Sequence, residues 1–219
     1  FAAPVTAAHP VTAAEGWANY TFATGDFNGD GSTDLVWNNL GALNKSYLAL
    51  STGSGWTFEP VVQRPEGGWS AYRALVADTD GDGDDDLVFN ALGAHNYTYV
   101  SLSNGDGTFD QTRPVFDAPV TGNWAPFFAH VGDINNDGRD DLIWNSSVSG
   151  TGNWTYTARF NADGLTFVMP SGQQHYTACC WQSYQRITGD FNGDGRTDLY
   201  FSSASGTGRA LHGGLANGS

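Results

Sequence analysis

The feature that most constrains this chain is an acidic segment that occurs four times at a nearly fixed spacing. The four copies read GDFNGDGSTDLVWN, ADTDGDGDDDLVFN, GDINNDGRDDLIWN and GDFNGDGRTDLYFS. A Trp precedes the first acid of each copy by nine residues, and successive copies begin 52, 55 and 57 residues apart. Four segments that keep both spacings identify a tandem repeat. The first acids of the copies are Asp26, Asp78, Asp133 and Asp190.

The repeat predicts a single domain over residues 1–219, because one unit of this size buries too little apolar surface to fold alone. Between the acidic segments, stretches such as NKSYLALS and NYTYVSLS alternate with glycine-containing turns, a pattern that favours short antiparallel strands. Four such strands in about 50 residues are typical of one blade of a β-propeller. We therefore expect an all-β propeller of four-stranded blades, near residues 17–68, 69–123, 124–180 and 181–219, the last closed by residues 1–16.

Each acidic segment has the composition of a loop that binds a hard cation. Counted from the first acid, positions 1, 3, 5 and 9 carry oxygen-bearing side chains, position 6 is glycine, and position 7 varies, as expected if only its carbonyl binds. Ligands that are all oxygen favour calcium over zinc or copper, so we expect one structural calcium ion per repeat, up to four. The candidate ligands are Asp26, Asn28, Asp30, Ser32, Asp34, Asp78, Asp80, Asp82, Asp84, Asp86, Asp133, Asn135, Asp137, Arg139, Asp141, Asp190, Asn192, Asp194, Arg196 and Asp198.

Two alternatives compete with this interpretation. An EF-hand needs a bidentate Glu at position 12 and a helix on each side, whereas position 12 here is Trp37, Phe89, Trp144 or Phe201. The EF-hand alternative therefore fails. Solvated Asp/Gly turns are common between strands, and a single loop would leave that alternative open. Four loops in register favour calcium.

The composition argues against several classes of protein. The formal net charge is −14, and the one Lys and eight Arg form no cluster, which is unlike a nucleic-acid-binding protein. Thirteen of the 23 acidic residues occupy loop positions 1, 3, 5 and 9, so the negative charge belongs to the loops. No apolar run approaches the roughly 20 residues of a transmembrane helix. The chain starts at Phe1 rather than Met, as a processed or excised product would, and we expect a secreted protein.

No catalytic constellation recurs in the four units. The five His residues occupy unrelated positions of the repeat, and no Ser/His/Asp arrangement is repeated. We therefore predict a protein that is not an enzyme. An active site assembled from loops of different blades stays open as the minor alternative.

Recurrent aromatic and amide residues are the candidates for ligand binding. Each unit opens with a Trp that suits either packing between blades or a flat platform for a sugar ring. A second set places Asn three residues before Tyr, inside N-x-[ST] sequences that also fit glycosylation acceptors. Recurrence in register favours a turn-forming or ligand-contacting role for these Asn residues. The candidates are Trp17, Trp69, Trp124, Trp181, Asn44, Tyr47, Asn96, Tyr99, Asn153 and Tyr156.

The two cysteines, Cys179 and Cys180, are adjacent in the sequence. Neighbouring Cα atoms lie about 3.8 Å apart, which is below the usual disulfide range, so a bridge between them would be strained. Two free thiols packed as small apolar groups are the alternative. An extracellular location favours the bridge.

The acidic loops resemble those of the FG-GAP/VCBS repeat family, and the resemblance runs from about residue 16 to residue 211. It implies a calcium-bearing β-propeller, as in integrin α-subunit heads and certain fungal lectins. The family hosts adhesion, sugar binding and parts of larger toxins and enzymes, so the resemblance indicates fold and metal more strongly than activity.

These observations predict a secreted, calcium-stabilised propeller lectin that binds carbohydrate multivalently without catalysis. A protein-binding scaffold excised from a larger toxin or adhesin is the first alternative, and a polysaccharide-acting enzyme domain is the second. A closed four-blade monomer is slightly favoured. A homodimer or a longer parent chain that completes a larger ring stays open.

Overall fold

The computed structural model describes residues 20–40, 44–52, 55–58, 62–63, 69–118, 124–146, 153–169, 174–176, 184–203 and 211–216. Within these ranges the regular structure consists of seventeen β-strands and one short 3-10 helix, Trp69–Ala71. The strands form four antiparallel sheets. The all-β prediction is therefore confirmed for the described residues. No helix in these ranges is long and apolar enough to span a bilayer.

The first sheet contains strands β1 to β5. In order along the chain they are β1 (Thr21–Gly25), β2 (Asp34–Asn39), β3 (Lys45–Ser51), β4 (Trp56–Phe58) and β5 (Val62–Gln63). The pairing order is β1-β2-β3-β4, and β5 also pairs with β3. The outer strand of this sheet is thus in two pieces that lie along the same neighbour. Pro60 falls between them in the sequence, and a proline has no N–H for a continuous ladder.

The second sheet has four strands in sequence order. They are β6 (Tyr72–Ala77), β7 (Asp86–Leu92), β8 (Asn96–Ser101) and β9 (Arg113–Ala118). This sheet has the four-stranded meander that the repeat predicts.

The third sheet repeats the divided outer strand of the first. Its strands are β10 (Phe127–Gly132), β11 (Asp141–Ser146), β12 (Asn153–Phe160), β13 (Phe167–Val168) and β14 (Gln174–Tyr176). Both β13 and β14 pair with β12. A proline, Pro170, again lies between the two outer pieces in the sequence.

The fourth sheet contains three strands among the described residues, in the order β15-β16-β17. They are β15 (Tyr184–Gly189), β16 (Asp198–Ser203) and β17 (Leu211–Gly214). The predicted closure of this blade by residues 1–16 lies outside the described residues and stays a prediction.

The chain divides into two compact units, and each has an apolar core between two sheets. In the first unit, Phe27, Val36 and Leu48 of the first sheet pack with Leu87 and Phe89 of the second. These side chains occur at alternate positions of their strands, as one face of a strand requires.

In the second unit, the core joins Ile134 and Ile143 of the third repeat to Leu199 and Phe201 of the fourth. The contact is the repeat equivalent of the one in the first unit. Each sheet therefore buries its apolar face against a neighbouring sheet, as expected for repeats too small to fold alone.

Candidate functional site

Each acidic segment is the hairpin connection between the first two strands of its sheet. The pair that closes the hairpin is Gly25–Asp34 in the first sheet, and loop position 9 fills the same place in the other three. We call the four hairpins loops 1 to 4, covering residues 26–34, 78–86, 133–141 and 190–198. A glycine at position 6 has a φ between 80° and 96° in every loop, a backbone region that favours glycine. The predicted sharp bend is thus present in all four.

The carboxylate at position 1 of each loop gathers backbone N–H groups from the rest of the bend. In loop 3, Asp133 accepts hydrogen bonds from the N–H groups of Asn136 at 2.6 Å and Gly138 at 2.9 Å. In loop 4, Asp190 accepts from Gly193 at 2.7 Å and Gly195 at 2.9 Å. Hydrogen bonds to the ionised form lower the pKa of Asp190. The loop backbone therefore favours a charged carboxylate at this position.

Positions 3 and 5 turn toward each other in the same bend. The Asn192 amide donates to Asp194 at 3.1 Å, and Asn135 donates to Asp137 at 3.0 Å. Position 5 also accepts the backbone N–H of position 7, at 2.8 Å for Ser32 to Asp30. Alternate side chains thus converge on one side of the loop, as a ring of cation ligands requires.

The acid at position 9 is buried in every loop, with at most 1% of its surface exposed. Its two oxygens accept N–H groups from loop position 2 and from the far end of the third strand. For Asp141 these donors are Ile134 at 3.3 Å and Phe160 at 3.0 Å, and for Asp34 they are Phe27 at 3.0 Å and Ser51 at 2.7 Å. The sequence predicts only a metal ligand here, whereas this acid also ties the loop to the sheet.

The burial of this acid has an electrostatic cost. Desolvation, opposed by the two N–H groups and increased by the charges of Asp137 and Asp133, raises the pKa of Asp141 to about 7. A carboxylate oxygen has two lone pairs, so two N–H bonds leave acceptor sites for a cation. A dication beside this carboxylate would restore its ordinary ionisation.

In loop 2, three acids lie close enough together to share one calcium ion. There one carboxylate oxygen from each of Asp78, Asp80 and Asp86 lies within 4.8 Å of the others. Three like charges at this separation repel strongly unless a cation lies between them. Oxygen donors on a flexible bend suit calcium, which takes six to eight oxygens. The residues present therefore fit the ion that the sequence predicts, and the number of ions bound stays a prediction.

Position 7 has a role that the sequence analysis missed. The Arg139 guanidinium pairs with Asp137 and donates from Nε to the carbonyl of Phe160 at 3.2 Å. In loop 4, Arg196 pairs with Asp194 at 2.7 Å and donates to the carbonyl of Ala216 at 3.2 Å. The repetition of Arg at position 7 in two loops was the available signal.

Neighbouring loops are joined directly by backbone hydrogen bonds. The N–H of Asp85, at position 8 of loop 2, donates to the carbonyl of Asp26 at 2.7 Å, and Asp26 donates back to the Asp85 carboxylate at 2.7 Å. In the second unit, the N–H of Thr197 donates to the carbonyl of Asp133 at 2.6 Å. The acidic loops thus connect successive sheets as well as the strands within one sheet.

Two of the four recurrent Trp residues are described, and both are buried. Trp69 packs edge-on to Phe89 and Tyr99, with ring centroids 5.6 and 5.0 Å apart. Trp124 lies 5.2 Å from Tyr156 and 5.7 Å from Trp144. A platform for a sugar needs an open ring face, so the burial of these rings favours the packing alternative.

The recurrent N-x-[ST] segments pair with the preceding strand. The hydroxyls of Thr98 and Thr155 each accept a hydrogen bond from a buried Asn at loop position 13, Asn90 and Asn145, at 2.8 Å. Asn44, Asn96 and Tyr47 are also buried. An enclosed Asn96 is a poor acceptor for a glycan, which favours the interpretation of this set as repeat chemistry.

Some candidates lie outside the described residues. They are Trp17, Trp181, Cys179 and Cys180, together with the side chain of Asn153. Their predicted roles stay predictions.

Four antiparallel sheets, each with an acidic hairpin at the same place, are consistent with the blades of a β-propeller. A family model described as an FG-GAP-like repeat matches residues 26–89 and 78–144, which together cover more than half of the chain. The chain belongs to this family. The predicted resemblance is confirmed.

The curated relatives include integrin alpha-8 of Gallus gallus, which is 25% identical over 158 residues, covering 66% of this chain and 15% of that protein. Integrin alpha-8 of Homo sapiens is 25% identical over 149 residues, covering 61% of this chain and 14% of the relative. The chain therefore spans about one seventh of the length of these relatives.

Two solved structures share the fold. A lectin of Agrocybe aegerita, described as specifically recognising non-reducing terminal N-acetylglucosamine, has a TM-score of 0.61 at 24% identity. The match covers 90% of this chain and 52% of the lectin. The Tc holotoxin pore of Photorhabdus luminescens has a TM-score of 0.60 at 24% identity, covering 92% of this chain and 9% of the toxin chain.

Proposed function

We propose that this protein is a secreted, calcium-stabilised propeller lectin that binds carbohydrate without catalysis. The observation that carries the proposal is the pairing of FG-GAP-type acidic loops with the fold of a lectin that recognises terminal N-acetylglucosamine. A fold can host many functions, so the sugar itself is a hypothesis for direct measurement.

The proposed role of calcium is structural. Each loop gathers acids at positions 1, 5 and 9 around one bend, and position 9 is bonded to the end of the third strand. An ion bound there would fix the hairpin, the third strand and the adjoining loop together. Extracellular calcium is abundant enough to fill such sites, which agrees with secretion.

The proposed sugar contacts come from the partly exposed members of the recurrent set. Tyr99 and Tyr156 are partly exposed and lie beside the buried Trp69 and Trp124. In this arrangement the Trp rings would support the Tyr rings, and the Tyr hydroxyls would bond a sugar. Repetition of the site would strengthen weak single-site binding to a surface that displays several sugars.

The test is a glycan array in calcium, followed by calorimetric titration with N-acetylglucosamine. We expect saturable binding to glycans with that terminal residue and competition by the free sugar. Absence of binding across the array would contradict the lectin proposal. Release of sugar from a polysaccharide would instead indicate the enzyme alternative.

Matched variants locate the site. Tyr99→Phe and Tyr156→Phe keep the ring and remove only the hydroxyl, so one lost hydrogen bond should weaken binding by about tenfold. Tyr200→Phe is the control, because Tyr200 is also partly exposed but belongs to the fourth sheet and to no recurrent Asn-Tyr pair. Equal affinities for all three variants would place the sugar elsewhere.

A protein-binding scaffold is the second candidate. The match to the Tc holotoxin pore is as good as the match to the lectin, with TM-scores of 0.60 and 0.61. The fold alone therefore ranks neither function. A protein that is silent on the glycan array but folded and calcium-dependent would favour the scaffold.

A further inference from the structure

The fourth sheet exposes apolar residues that the equivalent positions of the first sheet bury. Loop position 2 is Phe27 in loop 1, with no exposed surface, and Phe191 in loop 4, with 51% exposed. At the end of the third strand, Leu50 is 8% exposed and its equivalent Leu215 is 57% exposed. Ile187 on β15 is 45% exposed. We call Ile187, Phe191 and Leu215 the trailing face.

The first unit identifies what covers these positions. Phe27 packs against Phe109 of the second repeat, with ring centroids 5.7 Å apart, and its carbonyl accepts a hydrogen bond from the Ser103 hydroxyl at 2.7 Å. Leu50 belongs to the same core as Leu87 of the second sheet. The cover is therefore the sheet that follows in sequence.

Loop 3 obeys the same rule. Its position 2, Ile134, is 8% exposed and packs with Leu199 and Phe201 of the fourth sheet. A Cβ added to Gly132 would lie 2.4 Å from Thr197 of the next repeat, whereas one on Gly189 would meet only Phe191 of its own loop. The trailing face thus has the exposed apolar residues and the open space that a following sheet would cover.

On its other side, the first sheet leaves apolar residues partly exposed whose equivalents are buried in the other sheets. Loop positions 10 and 12 are buried in the second, third and fourth sheets but only partly buried in the first, as Leu35 and Trp37. Phe22, which pairs with Trp37, is 72% exposed. Its equivalent Arg186 lies over the Phe128 ring of the preceding sheet, 4.0 Å from its centroid. We call Phe22, Leu35 and Trp37 the leading face.

The hydrogen bond between loops is lacking at the same two faces. In the pairs of loops 1 and 2 and of loops 3 and 4, the N–H at position 8 donates to the carbonyl at position 1 of the loop before. Neither the equivalent N–H, on Thr33, nor the equivalent carbonyl, on Asp190, makes this bond within the described residues. The N–H of Thr33 and the carbonyl of Asp190 are therefore the donor and the acceptor that a further loop on either side would use.

We propose that the leading face of one copy of this chain packs on the trailing face of a second copy. The contact would continue the sheet-on-sheet interface already present inside each unit, with apolar cores and a loop-to-loop hydrogen bond. Because the two faces differ, the association is heterologous, and each copy offers one of each. This inference does not depend on carbohydrate binding.

A second copy is a suitable occupant, because every copy carries the complementary face. In one chain Phe22, Phe191 and Leu215 keep more than half of their surface exposed. The lectin chain is matched over 52% of its length, so two copies supply about the length of one such chain.

The test is the molar mass of the full chain in calcium, measured by light scattering over a range of concentrations. We expect a mass of two copies or more. Phe22→Glu should break the leading face and Ile187→Glu the trailing face, because each places an unpaired charge in an apolar contact. Each variant alone should have the mass of one copy.

The decisive experiment mixes the two variants. Phe22→Glu keeps an intact trailing face and Ile187→Glu an intact leading face, so an equal mixture should recover a mass of two copies. The recovery separates a broken interface from a misfolded chain. Val168→Glu is the control, since the exposure of Val168 lies between those of Ile187 and Phe22 but Val168 belongs to neither face, and it should keep the wild-type mass.

Three results would overturn the proposal. They are a wild-type chain with the mass of one copy at every concentration, a mixture that stays at one copy, and a loss of association in the Val168→Glu control. The first would also be the outcome if the two faces closed within a single chain.

Discussion

Loops 1 and 2 share a backbone plan with loops 3 and 4 but differ in how charge is balanced at position 7. In loops 3 and 4 this position is Arg139 or Arg196, and its guanidinium neutralises the acid at position 5. In loops 1 and 2 it is Ser32 or Asp84. Burial, followed by the charges of Asp82, Asp26, Asp78 and Asp85, raises the pKa of Asp84. Loops 3 and 4 thus carry their own cations, whereas loop 1 has none and loop 2 accumulates acids.

The difference shows that hairpin geometry and charge compensation are separable in this repeat. Both pairs keep the position-8 to position-1 hydrogen bond, at 2.7 and 2.6 Å. Asp85 even accepts a bond from the N–H of Asp26 while burial raises its own pKa. We infer that loops 1 and 2 depend on a bound cation more than loops 3 and 4 do.

The largest expected effect is that of calcium removal. An ion present at 1,000 times its dissociation constant stabilises the folded state by about 4 kcal/mol per site. Chelation should therefore lower the melting temperature and reduce hydrogen-exchange protection more in β6 and β7 than in β15 and β16. Exchange mass spectrometry with calcium and with chelator measures both. Equal losses in the two regions would contradict the inference that loops 1 and 2 depend more strongly on the cation.

The sequence predicted the repeat, the strands and the place of each loop because those features depend on local spacing. Alternation fixes which side chains face one side of a strand, and Asp-Gly bends fix the hairpins. What it could not give was the contact made across repeats. Trp69 is buried, and Asp85 bonds Asp26 of another repeat. Both contacts involve residues far apart in the chain, and no local sequence pattern specifies which neighbour a residue will contact.

The sequence predicted which residue types form the candidate site, but not which groups each residue bonds. Position 9 looked like one more ligand, yet Asp34 and Asp141 are buried and bond two N–H groups each. Position 7 looked variable, yet Arg139 bonds an acid and a strand carbonyl. A spacing pattern shows which residue types recur, but the partner of a side chain is a property of the fold.

The second effect tests the buried acid that both pairs of loops share. Asp34→Asn and Asp141→Asn keep the volume but turn an NH2 group toward a backbone N–H, which should cost about 3 kcal/mol of unfolding free energy. The cost should be similar at both positions, because the bonds are the same. Urea denaturation in excess calcium measures it.

The control for this exchange is Asp110→Asn, at an exposed acid whose pairing with Arg113 spans 3.8 Å. It should change the unfolding free energy by less than about 1 kcal/mol. A loss at Asp34 or Asp141 no larger than that at Asp110 would contradict the role of position 9 in tying the loop to the sheet.

When calcium is absent, acid should act in opposite directions on the buried His130 and on the buried acids of the loops. Burial, with the charge of Arg186, lowers the pKa of His130 in the second unit to about 4 from 6.5. The unfolded chain therefore binds this proton first, and stability present above pH 6.5 is lost as the pH falls toward 4, by about 3 kcal/mol at most. The raised pKa values of Asp84, Asp85 and Asp141 have the reverse sign, so protonation stabilises the loops that hold these acids, including loop 3 of the second unit.

Denaturation in chelator at a series of pH values measures this opposition. His130→Leu, which copies Leu75 at the same position of the second repeat, should remove the loss that His130 causes between pH 6.5 and 4 and leave the gain from Asp141. Asp85→Asn should remove part of the gain in the first unit. A pH profile that neither substitution alters would contradict the assignment of these groups.

The smallest expected effect comes from exchanging position 7 between the two pairs of loops. Arg139→Ser removes a partly exposed ion pair and one bond to a carbonyl, so it should cost about 1 kcal/mol. Ser32→Arg should do the opposite in loop 1, because a guanidinium beside Asp30 would supply the positive charge that loop 3 already has. The melting temperatures of both variants, with calcium and with chelator, measure the result. If the arginine is the source of the difference, Ser32→Arg will reduce the drop in melting temperature caused by chelator, and Arg139→Ser will increase it. Unchanged drops would instead assign the difference to the crowded acids of loop 2.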